Sequence, residues 1–220
     1  MKSSSLEILT QAPVVPVIVI NDIAQAVPLA KALVAGGIRV LEVTLRTAQG
    51  LEAIRRIRDE VPDAIVGAGT VCSAKDVELA AAAGSEFLFT PGFTDELLRA
   101  GSECGLPFVP GASTVGDVMR CMERGINTLK FFPAEACGGT AVLKAIAGPF
   151  PQLRFCPTGG IGPHNIGDYL ALASVVSVGG SWLTPSHLLA NHDWDAITQL
   201  ATEAAELVHQ LRGQAQGEMR

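Results

Sequence analysis

The chain has 220 residues, 48% apolar and only 17% charged, which suits one large core and argues against a disordered chain. Its net charge of -6 and pI near 5.2 exclude an extended basic surface for nucleic acid or anionic membrane. Any anionic ligand must then be held by local dipoles and a few basic side chains. The sequence has no run of about 18 apolar residues, and the polar start Met1-Lys2-Ser3-Ser4-Ser5 does not read as a signal peptide. A cytoplasmic protein is expected. Five scattered cysteines, Cys72, Cys104, Cys121, Cys137 and Cys156, form no CxxC pair and suit reduced thiols. The histidines, His164, His187, His192 and His209, have no ligand spacing, so no metal site is expected.

In chain order, Ser4 and Glu7 have capping-box spacing ahead of the first strand. A short N-terminal helix that plugs the lower end of a barrel is expected there. Short β-rich runs follow at 14–20, 40–45, 65–70, 87–91, 108–113, 128–133, 154–158 and 175–179. Several are apolar on both faces, as strands buried in a parallel sheet must be. Helical patterns of roughly a dozen residues separate them, long enough for crossovers. Ala30, Leu33 and Val34 form a helical stripe ending at Gly36-Gly37, and Pro28 is tolerable in its first turn. Leu51, Ile54, Ile57 and Val61 repeat at helical spacing until Pro62 stops them. The last helix carries Trp194, Ile197, Leu200, Ala201, Ala204, Leu207, Val208 and Leu211 on one face. Eight strands in strict alternation predict a single (β/α)8 TIM barrel over residues 1–220, with a doubly wound open sheet as the alternative.

Barrel chemistry sits where strands end, so the polar residues there are the candidates. Strand 2 runs Leu41-Glu42-Val43-Thr44-Leu45-Arg46, which puts Glu42, Thr44 and Arg46 on one face. Strand 6 runs Leu129-Lys130-Phe131-Phe132-Pro133, with a lysine inside an apolar strand. A buried ammonium is costly, so Lys130 reads as an amine nucleophile for a ketone; snorkelling or a salt bridge to Glu42 is the alternative. Glu42 reads as a general base, or as a structural partner of Lys130 or Arg46. Arg46 offers a fork that matches a carboxylate, unless it is only an exposed helix-start arginine. Thr158-Gly159-Gly160 and Gly179-Gly180-Ser181 close strands 7 and 8, where barrels commonly cradle phosphate on backbone N–H groups.

Seven segments in register, VPVIVI, LEVTLRT, VGAGTV, FTPGF, LKFFPAE, CPTGGI and GGSWL, resemble the KDPG/KHG aldolase family over nearly the whole chain. KDPG is 2-keto-3-deoxy-6-phosphogluconate. The resemblance implies a cytoplasmic, homotrimeric TIM barrel of the Entner–Doudoroff pathway that reversibly splits KDPG into pyruvate and D-glyceraldehyde 3-phosphate. It implies class I, Schiff-base chemistry with no metal or organic cofactor, and activity on 4-hydroxy-2-oxoglutarate as well. By position, Lys130 takes the Schiff-base role and Glu42 the acid/base role. Arg46, Thr70, Pro91 and Phe132 are assigned to substrate binding. Thr158, Gly159, Gly160, Gly180 and Ser181 are assigned to the substrate and its phosphate. The sequence departs from the family at Thr114-Val115-Gly116-Asp117, which puts only a local turn in question. Alternatives are the C4-epimeric 2-keto-3-deoxy-6-phosphogalactonate aldolase, a metal-dependent aldolase or phosphosugar isomerase, and a phosphate-binding barrel without catalysis.

Overall fold

The computed structural model describes residues 4–217, so the ends of the expected 1–220 domain, including Met1-Lys2-Ser3, lie outside the described residues. Helix α1 (Ser5–Thr10) starts with the expected capping box, Ser4 accepting from the Glu7 N–H and Glu7 accepting from the Ser4 N–H. Its inward residues Ile8 and Leu9 are buried, and they join Ala12, Val15, Val40, Phe87, Phe89, Val109 and Cys156 in one cluster. The Ser5 hydroxyl donates to the Phe108 carbonyl at 3.1 Å. The helix therefore closes the end where strands begin, as the capping signal predicts.

Eight parallel strands follow: β1 (Val14–Ile18), β2 (Val40–Thr44), β3 (Ile65–Gly69), β4 (Leu88–Phe89), β5, β6 (Thr128–Phe131), β7 (Arg154–Phe155) and β8 (Val178–Gly180). Strand β5 has two halves, Phe108–Val109 and Gly111–Ala112, separated by Pro110. Proline has no N–H to donate, so the ladder breaks there. The first half pairs with β4 and the second with β6. Pairing runs in order from β1 to β5, and β8 returns to β1 with Val14 opposite Val178. Single bridges from Phe155 to Val175 and from Thr158 to Gly179 link β7 to β8, and the ring closes. The (β/α)8 barrel is the observed architecture, and the open sheet is not. Several strands are shorter than expected. Pro157 cuts β7 short for the reason given for Pro110, and Thr70, expected in strand 3, leaves it with φ of 55°.

Helices α2 (Ala26–Ala35), α3 (Gly50–Glu60), α4 (Ala74–Ala82), α5 (Asp95–Glu103), α6 (Val115–Glu123), α7 (Gly139–Ala147), α8 (Ile166–Leu170), α9 (Ser186–Ala190) and α10 (Trp194–Gly217) lie in the crossovers and after β8. Between barrel and helices lies the larger apolar layer, which includes Leu29, Leu33, Ile54, Ile57, Ile197, Ala201 and Val208. Most of the expected stripes thus face inward. The divergent Thr114–Asp117 segment is a working start for α6: Thr114 and Asp117 form a reciprocal capping box. A shorter acid performs the capping task that glutamate commonly performs.

Candidate active site

Two glycines of β3 make room inside the barrel. A Cβ on Gly67 would stand 2.5 Å from the Phe87 ring, and one on Gly69 would stand 2.2 Å from Glu42 Oε1. The GAG sequence is therefore what lets the Glu42 side chain lie across the neighbouring strand. Glu42 has no exposed surface, and Lys130 is 5% exposed. Lys130 Nζ donates to Glu42 Oε1 at 3.0 Å and to Oε2 at 3.3 Å, although 88 residues separate them. Both the nucleophile reading and the salt-bridge alternative predict proximity, and proximity is what the fold creates. The pair is buried in the barrel interior, where partners at this distance interact far more strongly than in bulk water.

The lysine is also flanked by two aromatic faces. Its Nζ lies 5.4 Å from the Phe89 ring centroid and 5.5 Å from that of Phe132. Cys156 of the strand end beside β6 has no exposed surface, and burial pushes its thiol up to about 12, with the Lys130 charge acting against that shift. It is a neutral wall of the site at physiological pH. All five cysteines are free thiols.

Arg46 is exposed, and its Nε donates to Thr70 Oγ1 at 3.2 Å, which ties the guanidinium to the turn after β3. Thr70 turns its hydroxyl there from a left-handed backbone, a conformation a β-branched residue rarely adopts. The turn is stitched down by Cys72, whose Sγ donates to the Thr70 carbonyl at 3.3 Å and whose N–H donates to Asp76 at 2.9 Å.

A cleft of about 120 Å³ opens at the strand C-termini, bordered by Arg46, Phe132, the 158–160 turn and the 179–181 turn. Gly159 and Gly160 have φ of 108° and 76°, values that L side chains rarely adopt. Two backbone bonds tie this turn to the loop after β6: Ala134 N–H to the Thr158 carbonyl at 2.8 Å, and Glu135 N–H to the Gly159 carbonyl at 3.1 Å. The Glu135 carboxylate in turn accepts a short hydrogen bond from the hydroxyl of buried Tyr169 on α8. Burial, then the bond to Glu135, push that phenol up. Gly180 packs beneath the Trp182 indole, which a Cβ there would enter at 1.7 Å.

The structure thus brings Arg46, Phe132, Thr158, Gly159, Gly160, Gly180 and Ser181 to one cleft, while Lys130, Glu42 and Thr70 are not among its walls. Thr70 joins it through Arg46, and the Lys130–Glu42 pair has Phe132 as its shared neighbour with the cleft. Pro91 reaches the same end indirectly. Its carbonyl abuts Gly111, the register partner of Lys130. Phe89, Thr90, Glu135 and Tyr169 are additions that sequence reading missed. Thr90, fully buried, accepts from the Gly111 N–H at 3.1 Å and braces β5 beside the lysine strand. A larger cavity of about 450 Å³ lies at the opposite end, between Ser4–Leu6 and the starts of β5 and β6. It is far from the polar strand ends, and size alone does not make it the site. Among the described residues, no group of three or more His, Cys, Asp or Glu side chains could hold a metal ion.

Residues 6–200 match the family model described as KDPG and KHG aldolase. The chain is similar to the 2-dehydro-3-deoxy-phosphogluconate aldolase of Dickeya dadantii (strain 3937), 58% identical over 92% of this chain and 95% of that one. It is also similar to the KHG/KDPG aldolase of Escherichia coli (strain K12), 57% identical over 93% and 96% of the two chains. Among solved structures it resembles a KDPG aldolase from Legionella pneumophila with pyruvate captured as a covalent carbinolamine intermediate. That likeness has a TM-score of 0.90 at 46% identity, over 93% of this chain and 99% of the other.

Proposed function

We propose that this chain, which belongs to the KDPG and KHG aldolase family, is a class I aldolase that cleaves KDPG to pyruvate and D-glyceraldehyde 3-phosphate. Its Schiff-base chemistry is supported by the carbinolamine captured in the Legionella pneumophila relative. The observation that carries the residue assignment is the buried Lys130–Glu42 pair, which shares Phe132 as a neighbour with a cleft edged by Arg46 and two glycine turns. In this assignment Glu42 accepts a proton from the Lys130 ammonium. The freed amine bonds the C2 ketone to give a carbinolamine, whose hydroxyl leaves as water with the Glu42 proton. The resulting iminium draws electrons from the C3–C4 bond as the C4 hydroxyl loses its proton to Glu42 through water. Aldehyde departs and an enamine remains; protonation at C3 and hydrolysis release pyruvate.

Arg46, with Thr70 beside it, pairs with the pyruvyl carboxylate, whose planar geometry suits a guanidinium fork. Phe132 lines the same pocket, and Pro91 supports it from behind, its carbonyl against Gly111. The backbone of Gly159, Gly160 and Gly180, with the hydroxyls of Thr158 and Ser181, holds the remainder of the substrate and its phosphate. The same machinery accepts 4-hydroxy-2-oxoglutarate, which lacks only the phosphate handle. Neither metal nor organic cofactor enters any step.

The single domain acts in the cytoplasm; among the described residues no helix is long and apolar enough to cross a membrane. It assembles as a homotrimer. A mean hydropathy of +0.34 supports that state, as do Val115 and Met119, 45% and 52% exposed one turn apart on α6. Light scattering at micromolar concentration checks the assembly, and a monomer mass refutes it. The function itself is tested by pyruvate release from KDPG and its C4 epimer in the presence of a chelator. Cleavage confined to KDPG is expected. Equal or greater cleavage of the epimer, or loss of activity on chelation, contradicts the proposal.

A further inference from the structure

We propose that Phe89 is a positioning residue for the reaction: with Phe132 it holds positive charge at Lys130 Nζ and so favours the iminium over its neutral neighbours. The inference rests on the assignment of Lys130 as the nucleophile. Phe89 is wholly buried in β4, and its ring faces the ammonium at 5.4 Å, within cation–π range. The Phe132 ring stands at 5.5 Å. A second ring, Phe87, packs at a 60° tilt against Phe89, 5.2 Å between centroids, and Phe87 is itself pinned over Gly67. Phe89 is therefore held in place, and its contact with the lysine needs no rearrangement.

The charge bookkeeping gives the rings a task. Ammonium plus ketone becomes iminium plus water: Nζ loses two protons, C2 loses its oxygen, and one positive charge stays on the nitrogen. Between these states the nitrogen is neutral, in the free amine and the carbinolamine, while Glu42 carries the proton. After C3–C4 cleavage the enamine nitrogen is neutral again. The cycle thus moves the site repeatedly between an ion pair with Glu42 and a neutral pair. An aromatic face attracts the nitrogen only in its charged states. Glu42 does the same but also moves the proton; the rings cannot. They bias the equilibrium without taking part in bond making.

Substituting fluorines on the Phe89 ring weakens its negative face with little change of shape. With saturating [2-13C]pyruvate, carbon NMR reads iminium and carbinolamine separately. The iminium-to-carbinolamine ratio should fall stepwise with each added fluorine, by about 2- to 30-fold across the series. Phe89→Leu, apolar but without a ring face, should fall as far as the most fluorinated ring. The same fluorination at Phe87, which does not face the ammonium, should leave the ratio unchanged. A flat ratio across the Phe89 series, or an equal response at Phe87, overturns the proposal and returns Phe89 to packing alone. Reduction of the wild-type adduct with borohydride and peptide mapping tells the two levels apart. An adduct on a lysine other than Lys130 removes the underlying assignment and the proposal with it, whatever the fluorine series does.

Discussion

Replacing Glu42 with glutamine separates its two tasks. The carboxylate is fully buried and holds the Lys130 ammonium at 3.0 and 3.3 Å. Glutamine keeps the volume, so the close approach over Gly69 survives, and its amide oxygen still accepts one hydrogen bond. It cannot accept a proton or match the charge. Breaking a buried ion pair by neutralising one partner costs roughly 3–5 kcal/mol when the other stays charged. Losing a general acid–base group lowers kcat by roughly 10²–10⁴-fold. The protein should therefore unfold at lower denaturant while its kcat for KDPG falls at least a hundredfold. Iminium trapping by borohydride should persist at a slower rate, because Lys130 remains in place. The assay is pyruvate release under saturating KDPG, alongside a urea titration of the same sample. A destabilised protein with near-wild-type kcat would show that Glu42 only balances the lysine, and the proton-transfer role would fall.

Ser181→Ala removes one donor to a charged acceptor, worth about 1.5–3 kcal/mol, or roughly 10–150-fold in kcat/KM. The loss should appear with KDPG and not with 4-hydroxy-2-oxoglutarate; equal losses reject the phosphate cradle. A further expectation concerns alkaline stability. Burial raises the Cys156 thiol from its ordinary 9.0 to about 12, so above pH 9 the unfolded chain has lost a proton that the native chain retains. Its contribution is fully present below pH 9 and falls with rising pH, by about 1.4 kcal/mol per pH unit, until about pH 12. Urea titrations of wild type and Cys156→Ala across that window should show a shallower decline in the variant, and parallel declines refute the argument.

The barrel is legible in the sequence because eight apolar runs alternate with helical stripes, and the alternation constrains topology more tightly than any single element. Closure is not legible, since it depends on the register of Val14 against Val178 and on single bridges after Pro157. Strand ends were overestimated where prolines or a left-handed Thr70 interrupt the ladder, effects that hydrophobic periodicity does not register. Lys130 and Glu42 stood out because charged residues in apolar strands demand a reason. Phe89 did not, because a phenylalanine in an apolar strand looks like ordinary core until a cation is found opposite its face. The Glu135–Tyr169 bond was invisible for a different reason: it joins residues 34 apart through an otherwise unremarked helix. The glycines of GAGT read as a motif by resemblance, and their physical reason, space for Glu42 and Phe87, emerges only from the packing.

The central claim is that one buried lysine forms the covalent bond to substrate. Lys130 is the lysine that lies on a barrel strand among the described residues; Lys31, Lys75 and Lys144 sit on helices. Incubation with pyruvate and borohydride, followed by proteolysis and mass spectrometry, should place a single reduced pyruvyl group on Lys130 and abolish activity in proportion. An adduct on Lys31, Lys75 or Lys144, or full inactivation without any adduct at Lys130, contradicts the account.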